Sequence, residues 1–288
     1  MNERKELTID EIHDAELFTL EEVDKLCREL NIKYWVMFGT LLGAVREKGF
    51  IPWDDDLDIS MKRDDYEKFC NYFFKNNNTH PTLELNHVLN NKDYNSYIAR
   101  VSERKNRIYF DSTKYTSGVF IDIYPMDGLE GKSWLKSTRR FLIRKFGALT
   151  WANSHGSLFE TYKRYFSKRN NHEGGGKSKL EYALLFCFIP FLIAARPFSR
   201  NLTFKIADKL ARKYKFDESE YVGIPGWEQN VLEPRKYFEE LVYLDFEDFK
   251  VPAPAAYDEL LTHWYGDYMK RPPENKRQPH HNYKAYKL

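Results

Sequence analysis

Four aspartates, Asp54, Asp55, Asp56 and Asp58, crowd into five positions, and Leu57, Ile59 and Met61 alternate with Asp58 and Ser60 as the segment continues. Period-two alternation predicts a half-buried strand over 56–61. On such a strand Asp56 and Asp58 point the same way, about 6.6 Å apart at about 3.3 Å per residue. Like charges that close on a rigid element suit a hard cation between them, so the pair forms a candidate ligand set for Mg2+ or Mn2+. A second strand is predicted over 119–128, VFIDIYPMDG, where Phe120, Asp122 and Tyr124 share a face and Pro125 is expected to stop the run. If the two strands pair, Asp122 comes within about 5 Å laterally as a third carboxylate.

Two plainer readings compete. Asp54 to Asp56 could be a solvated turn or a helix cap. Asp54, Asp56, Asp58 and Asp65 also fit the carboxylate positions of a calcium loop, but Ile59 stands where its sharp turn needs glycine.

Around these segments the spacing predicts an amphipathic helix over 9–30, with Leu17, Leu20, Val23, Leu26, Cys27 and Leu30 inward. KYWVMF, 33–38, reads as a strand, Gly39 to Gly43 as a glycine-containing turn, and 44–48 as a short helix or turn. A helix follows at 63–75, and 91–110 reads as a pair of edge strands. The pattern is a mixed sheet flanked by helices, an α/β (α+β) fold, divided into a core over 1–131, a helical basic insertion over 132–215 and a segment over 216–288 that packs back on the core. Gly39 and Thr40 after a strand, followed by strand aspartates, argue for metal-assisted phosphoryl or nucleotidyl transfer, with the backbone N–H groups near the phosphates.

Charge is segregated along the chain. Net charge is +2, yet 132–215 carries 19 Lys/Arg against 4 Asp/Glu, an excess of +15 that leaves −13 elsewhere. Apolar residues interleave with these cations, as in FLIRKFGALTW and YALLFCFIPFLIAA (182–195), which suits an anionic membrane surface better than nucleic acid. The 182–195 run is shorter than the roughly 20 residues of a spanning helix, so it is either a buried helix or a segment lying on the membrane. NNHEGGGKS, 170–178, is the clearest linker. Cys27, Cys70 and Cys187 form no metal or disulfide pattern, and the charged N-terminus has no apolar leader core. The expectation is a cytoplasmic protein, peripheral on the inner face of the membrane, with the sequons at Asn77 and Asn201 unused.

The stretch GTLLGAVREKGFIPWDDDLDISMKRDDYEKF, 39–69, resembles the signature of the LicD family, bacterial phosphocholine transferases whose wider relatives include the fukutin-related proteins. FIDIYPMDG, 120–128, and YGDYMKRPPENKRQPHH, 265–281, resemble its later blocks, in family order. The resemblance implies a nucleotidyltransferase-like fold and transfer of a phospho-alcohol from a CDP-linked donor to a cell-surface glycan or its lipid-linked precursor. It assigns Asp56, Asp58 and Asp122 to the metal and Arg46 to the donor phosphates. Glu47 stands where the family usually has histidine.

If choline is the alcohol, Trp53, Tyr124, Trp227 and Trp264 are available to cage its quaternary ammonium. Arg100 and Arg104 are candidate phosphate or acceptor contacts, Asp127 and Asp55 candidate bases, and His280 and His281 could close over the site. CDP-ribitol or CDP-glycerol as donor, and a non-catalytic membrane-peripheral scaffold, are the alternatives.

Overall fold

The computed structural model describes residues 5–94, 96–110, 115–129, 134–153, 199–224, 232–279, 281 and 283–288. Helix α1, Ile9–Glu29, opens with a capping box: Thr8 Oγ1 accepts from the Glu11 N–H, and the Glu11 carboxylate accepts from the Thr8 N–H at 2.9 Å. The predicted apolar stripe, Leu20, Val23, Leu26 and Cys27, is buried. Strand β1, Tyr34–Val36, runs antiparallel to β2, Leu57–Lys62, and helix α2, Phe38–Arg46, joins them. The expected turn at 39–43 is therefore the first turns of a helix that starts at Phe38. Helix α3, Arg63–Lys75, then β3, Leu83–Asn86, and β4, Ala99–Glu103, lead to β5, Asn106–Phe110, β6, Thr116–Ser117, and β7, Phe120–Leu129.

The main sheet runs β1-β2-β7-β4-β3, with β2 parallel to β7 and β4 antiparallel to it. Three expectations are corrected here. β2 is buried on both faces rather than half-buried, because Leu57, Ile59 and Met61 join the main core while the C-terminal segment covers the other face. β4 is interior, between β7 and β3, and β5 sits in a separate three-stranded sheet, so 91–110 is not a pair of edge strands. Pro125 does not stop β7. On one side β7 pairs with β4 through Ile123 and with β8, Tyr221–Gly223, from Asp127, and Pro125 falls in the gap, where its missing N–H removes no bond to either partner.

Helices α4, Trp134–Asn153, and α5, Arg200–Ala211, pack together through Ile143 against Ala207 and Ala211. The linker 170–178 and the apolar run 182–195 lie outside the described residues. None of the described helices is long and apolar enough to cross a membrane. Beyond β8 come β9, Glu233–Pro234, the hairpin β10, Leu241–Phe246, with β11, Phe249–Pro254, helix α6, Tyr257–Tyr265, and β12, Tyr283–Lys287, which pairs with β5. Phe246, Val251, Ala253 and Leu261 from this segment enter the main core, and Phe216, Phe238 and Leu260 build the second one with Trp35 and Tyr124.

His87 is held neutral inside this fold. Burial, then the nearby Arg63, pushes its pKa down to about 3, and its Nδ1 accepts the Leu89 N–H at 3.1 Å. A histidine with a lowered folded pKa contributes stability above its unfolded pKa of about 6.5 and loses it as pH falls toward about 3. From about pH 6 to about pH 5, urea unfolding should show wild type losing roughly 1 kcal/mol more than His87→Asn. Parallel losses in the two proteins would refute a buried neutral imidazole.

Candidate active site

The site is assembled where β1, α2, β2 and β7 meet. After β1 the Met37 N–H donates to the Asp58 carbonyl at 2.9 Å, the chain turns through Phe38 at φ +46°, and the Asp58 N–H donates to Thr40 Oγ1 at 2.7 Å. Thr40 thus ties the first turn of α2 to the strand aspartate. Gly39 makes room for the carboxylate beside it: a Cβ there would lie 2.6 Å from Asp54 Oδ2. Gly39→Ala should displace Asp54 and lower any transfer activity by about 100-fold with the melting temperature nearly unchanged, since ångström-scale misplacement has costs of that order. Full activity in that variant would show that Asp54 need not sit there.

Asp58 and Asp122 are direct neighbours in the parallel register of β2 and β7, and Asp56 lies immediately before β2. Instead of a solvated turn, Asp54 and Asp55 are buried, as are Asp58 and Asp122. Burial, reinforced by Asp55, raises the Asp54 pKa to about 6, and burial with Asp54 and Asp122 raises that of Asp56 to about 7 despite the opposing charge of His281. Asp58 is pushed well above the usual carboxylate range by burial and then by Asp56 and Asp122. The Tyr124 hydroxyl hydrogen-bonds Asp58, whose Oδ1 is buried without a hydrogen-bond partner.

Arg100 is committed to Asp122. Its Nε and Nη2 reach Oδ1 and Oδ2 at 2.7 Å each, and its guanidinium lies 3.5 Å above the centre of the Phe120 ring. Asp122 is thereby oriented, with the Arg100 charge directly against it.

Two residues that the sequence reading passed over or left open converge here. His281 comes from a segment 226 residues along the chain, its Nδ1 3.2 Å from Asp55 Oδ1 and 3.9 Å from Asp56 Oδ2. Glu16, 1% exposed on α1, is pushed well up by burial and then by Asp56, Asp55, Asp54 and Asp58. Its signal was present in the sequence: it is an acid on a buried helical row with Ile12, Leu20 and Val23.

Arg46 ends α2 with its Nε on Glu47 Oε1 at 2.7 Å and its Nη1 on the Tyr268 carbonyl at 2.9 Å, and Arg271 grips the same Glu47 carboxylate. Burial raises the Glu47 pKa, but the hydrogen bonds from Arg271 and Arg46 outweigh it and bring the carboxyl below its ordinary value. Burial, reinforced by Asp58, Asp54 and Asp56, pushes the pKa of the Tyr265 phenol well up. Phe38 stacks edge-on against Tyr124 at 5.4 Å and tilted against Trp264 at 5.2 Å, an aromatic wall next to Asp58.

Other candidates have partners of their own. Asp127, five residues along β7 from Asp122 and so about 17 Å away, is bound by Arg63 in the interior. Trp53 stacks under Arg277, and Arg104 donates to the carbonyls of His80 and Leu83. Trp227 and His280 lie outside the described residues.

The family described as "LicD/FKTN/FKRP, nucleotidyltransferase domain" matches residues 31–146. A lipopolysaccharide cholinephosphotransferase LicD of Haemophilus influenzae is 30% identical over 295 residues, covering 99% of this chain and 100% of the relative. An uncharacterized protein of Rickettsia prowazekii is 52% identical over 46 residues, 16% of this chain and 17% of its own, and one of Rickettsia typhi is similar at the same level, covering 15% of its own.

Proposed function

The chain belongs to the LicD family, and from that premise we propose that it transfers phosphocholine from CDP-choline to a hydroxyl of a cell-surface glycan or its lipid-linked precursor. The observation that carries this reading is the end-to-end match to a relative whose name states both the cholinephosphate and a lipopolysaccharide.

Asp56 and Asp58, with Asp122 alongside, would hold Mg2+ or Mn2+, and the orphaned Asp58 Oδ1 in an all-oxygen donor set fits a hard cation. Bound there, such an ion would neutralise charge on the donor diphosphate. The chain's own residues do the rest. Arg100 fixes the Asp122 carboxylate, and Thr40 fixes the backbone of Asp58. Arg46, held by Glu47 and the Tyr268 carbonyl, adds a positioned positive charge for the phosphates. The aromatic faces of Phe38, Tyr124 and Trp264 offer a surface for a quaternary ammonium.

The acceptor oxygen attacks the phosphorus that carries choline, the bond from that phosphorus to CMP breaks, and CMP leaves. The acceptor proton passes to Asp54, which is not among the proposed metal ligands and whose pKa burial and Asp55 raise to about 6. A membrane-peripheral location is supported by exposed Phe141, Leu142 and Leu202 beside Arg144, Lys145 and Lys205 on α4 and α5.

Thermal unfolding with CDP-choline, CDP-ribitol, CDP-glycerol or CTP, each with and without Mg2+, tests the reading. At about 100 times its Kd the true donor adds about 2.7 kcal/mol. A Mg2+-dependent shift with CDP-choline is expected. Preference for another CDP-alcohol changes the transferred group, and no nucleotide shift at all favours a scaffold.

A further inference from the structure

Beside the carboxylates of β2 and β7, the C-terminal segment completes a different grouping. We propose that Asp55, Asp56 and His281 form a second divalent-cation site that shares Asp56 with the first and takes a first-row transition ion such as Mn2+ in preference to Mg2+.

One ligand atom from each of the three residues lies within 4.8 Å of the others. Nδ1 of His281 is 3.2 Å from Asp55 Oδ1 and 3.9 Å from Asp56 Oδ2. Ligand atoms around an ion at about 2.1 Å stand about 3.0–3.5 Å apart in octahedral or tetrahedral shells, so only a small contraction is needed. An imidazole ligand moves preference from Mg2+, which takes oxygen, toward Mn2+ and the later ions.

The grouping is built rather than incidental. The His281 N–H donates to both oxygens of Asp55, at 3.3 and 3.2 Å. The Tyr283 hydroxyl donates to the Asp55 carbonyl at 3.0 Å, anchoring β12 beside the site. Phe120 packs edge-on against the imidazole at 5.8 Å and fixes its plane.

A separate observation is an orphaned acceptor close by in the electrostatics of the cluster. Glu16, 1% exposed, carries an Oε2 with no hydrogen-bond partner, and the charges acting on it most strongly are Asp56 and then Asp55. Leaving a carboxyl oxygen in the interior with no donor is costly, and water bound to a cation at Asp55 and Asp56 would supply one.

This inference rests on Asp56 being a ligand, as in the proposed function, but not on the identity of the transferred alcohol. Mn2+ binding to the full chain, followed by electron paramagnetic resonance, separates the two. Wild type should bind about two Mn2+ per chain and show electron-spin-echo modulation from a coordinated nitrogen, altered when the protein is made with 15N-histidine. His281→Gln should bind about one Mn2+ and lose the modulation, while Asp58→Asn should keep it. Melting curves of both variants establish that they are folded, and the 15N comparison needs no substitution at all. Bound Mn2+ without nitrogen modulation in wild type overturns the second site and leaves the first. Modulation that survives His281→Gln, or no Mn2+ binding, also overturns it.

Discussion

Replacing Asp58 with asparagine is expected to lower transfer by about 1,000-fold while leaving the metal-free fold as stable as wild type or more so. Two facts set the sign. Asp58 is 8% exposed with a buried, unpartnered Oδ1, and its pKa is raised by burial and by Asp56 and Asp122. A carboxyl whose folded pKa lies above its unfolded value stabilises below the unfolded pKa, and that contribution is lost as pH rises through the folded one. Above the unfolded pKa and without a cation, folding must either keep a proton on Asp58 or bury its charge, and both work against folding. Asparagine removes that charge and keeps an oxygen for the Tyr124 hydroxyl, while the Asp58 N–H bond to Thr40 belongs to the backbone and survives.

Thermal melts of the metal-free proteins should fall from about pH 4 to about pH 7 more steeply in wild type than in Asp58→Asn. Millimolar Mg2+ should then raise the wild-type melting temperature and leave the variant's nearly still. A variant that unfolds at all pH values while wild type ignores Mg2+ would make Asp58 a structural residue and support the scaffold reading.

Asp127→Ala should do the opposite, lowering stability by about 3–5 kcal/mol with little change in the transfer rate of the folded protein. Asp127 receives Arg63 Nε at 2.7 Å and Nη2 at 2.5 Å, and Arg63 Nη1 reaches Asp208 at 3.1 Å. The side chains of Arg63 and Asp127 are 9% and 1% exposed. Truncating Asp127 leaves a buried guanidinium with half its partners, and a buried charge stripped of its partner is among the larger single-site penalties. The melting temperature should drop by about 10 °C. Urea melts measure the first effect and initial rates on folded protein the second. Unchanged stability with lost transfer would return Asp127 to the reaction as a base.

The contrast between these aspartates shows how far a sequence reading reaches. Both belong to strand segments that follow a turn-like or acidic cluster, and both were candidates for chemistry. Period-two alternation puts Asp58 and Asp122 in strands of the right phase, and the parallel register then sets them side by side. Asp127 has the same phase on β7 as Ile123 and Pro125, and nothing local reveals that Arg63, 64 residues earlier, meets it in the core.

The glycine pair was misread for a similar reason. Gly39 and Gly43 suggested a turn, yet each is small because of what approaches it: the Asp54 carboxylate at Gly39 and the Gly49 carbonyl, 2.4 Å from a notional Cβ, at Gly43. Close approach and turn geometry both select glycine, so the residue type alone does not separate them. Arg100 was read as a solvated or substrate-facing cation on an edge strand. Its interior position on β4 turns it toward Asp122.

What the sequence by itself determined depends on neighbours a few positions away: α1 and its apolar stripe, α3, the existence of strands β2 and β7, and the acidic pattern that makes 54–58 chemically unusual. Periodicity reports such features because a helix or strand repeats over a few residues. Only the tertiary structure decided which carboxylates meet, since Glu16, Asp58, Asp122 and His281 come from four separate segments. Chain closure over such distances is governed by packing and strand pairing, which leave no local signature. The charge that those contacts concentrate is a property of the assembled fold.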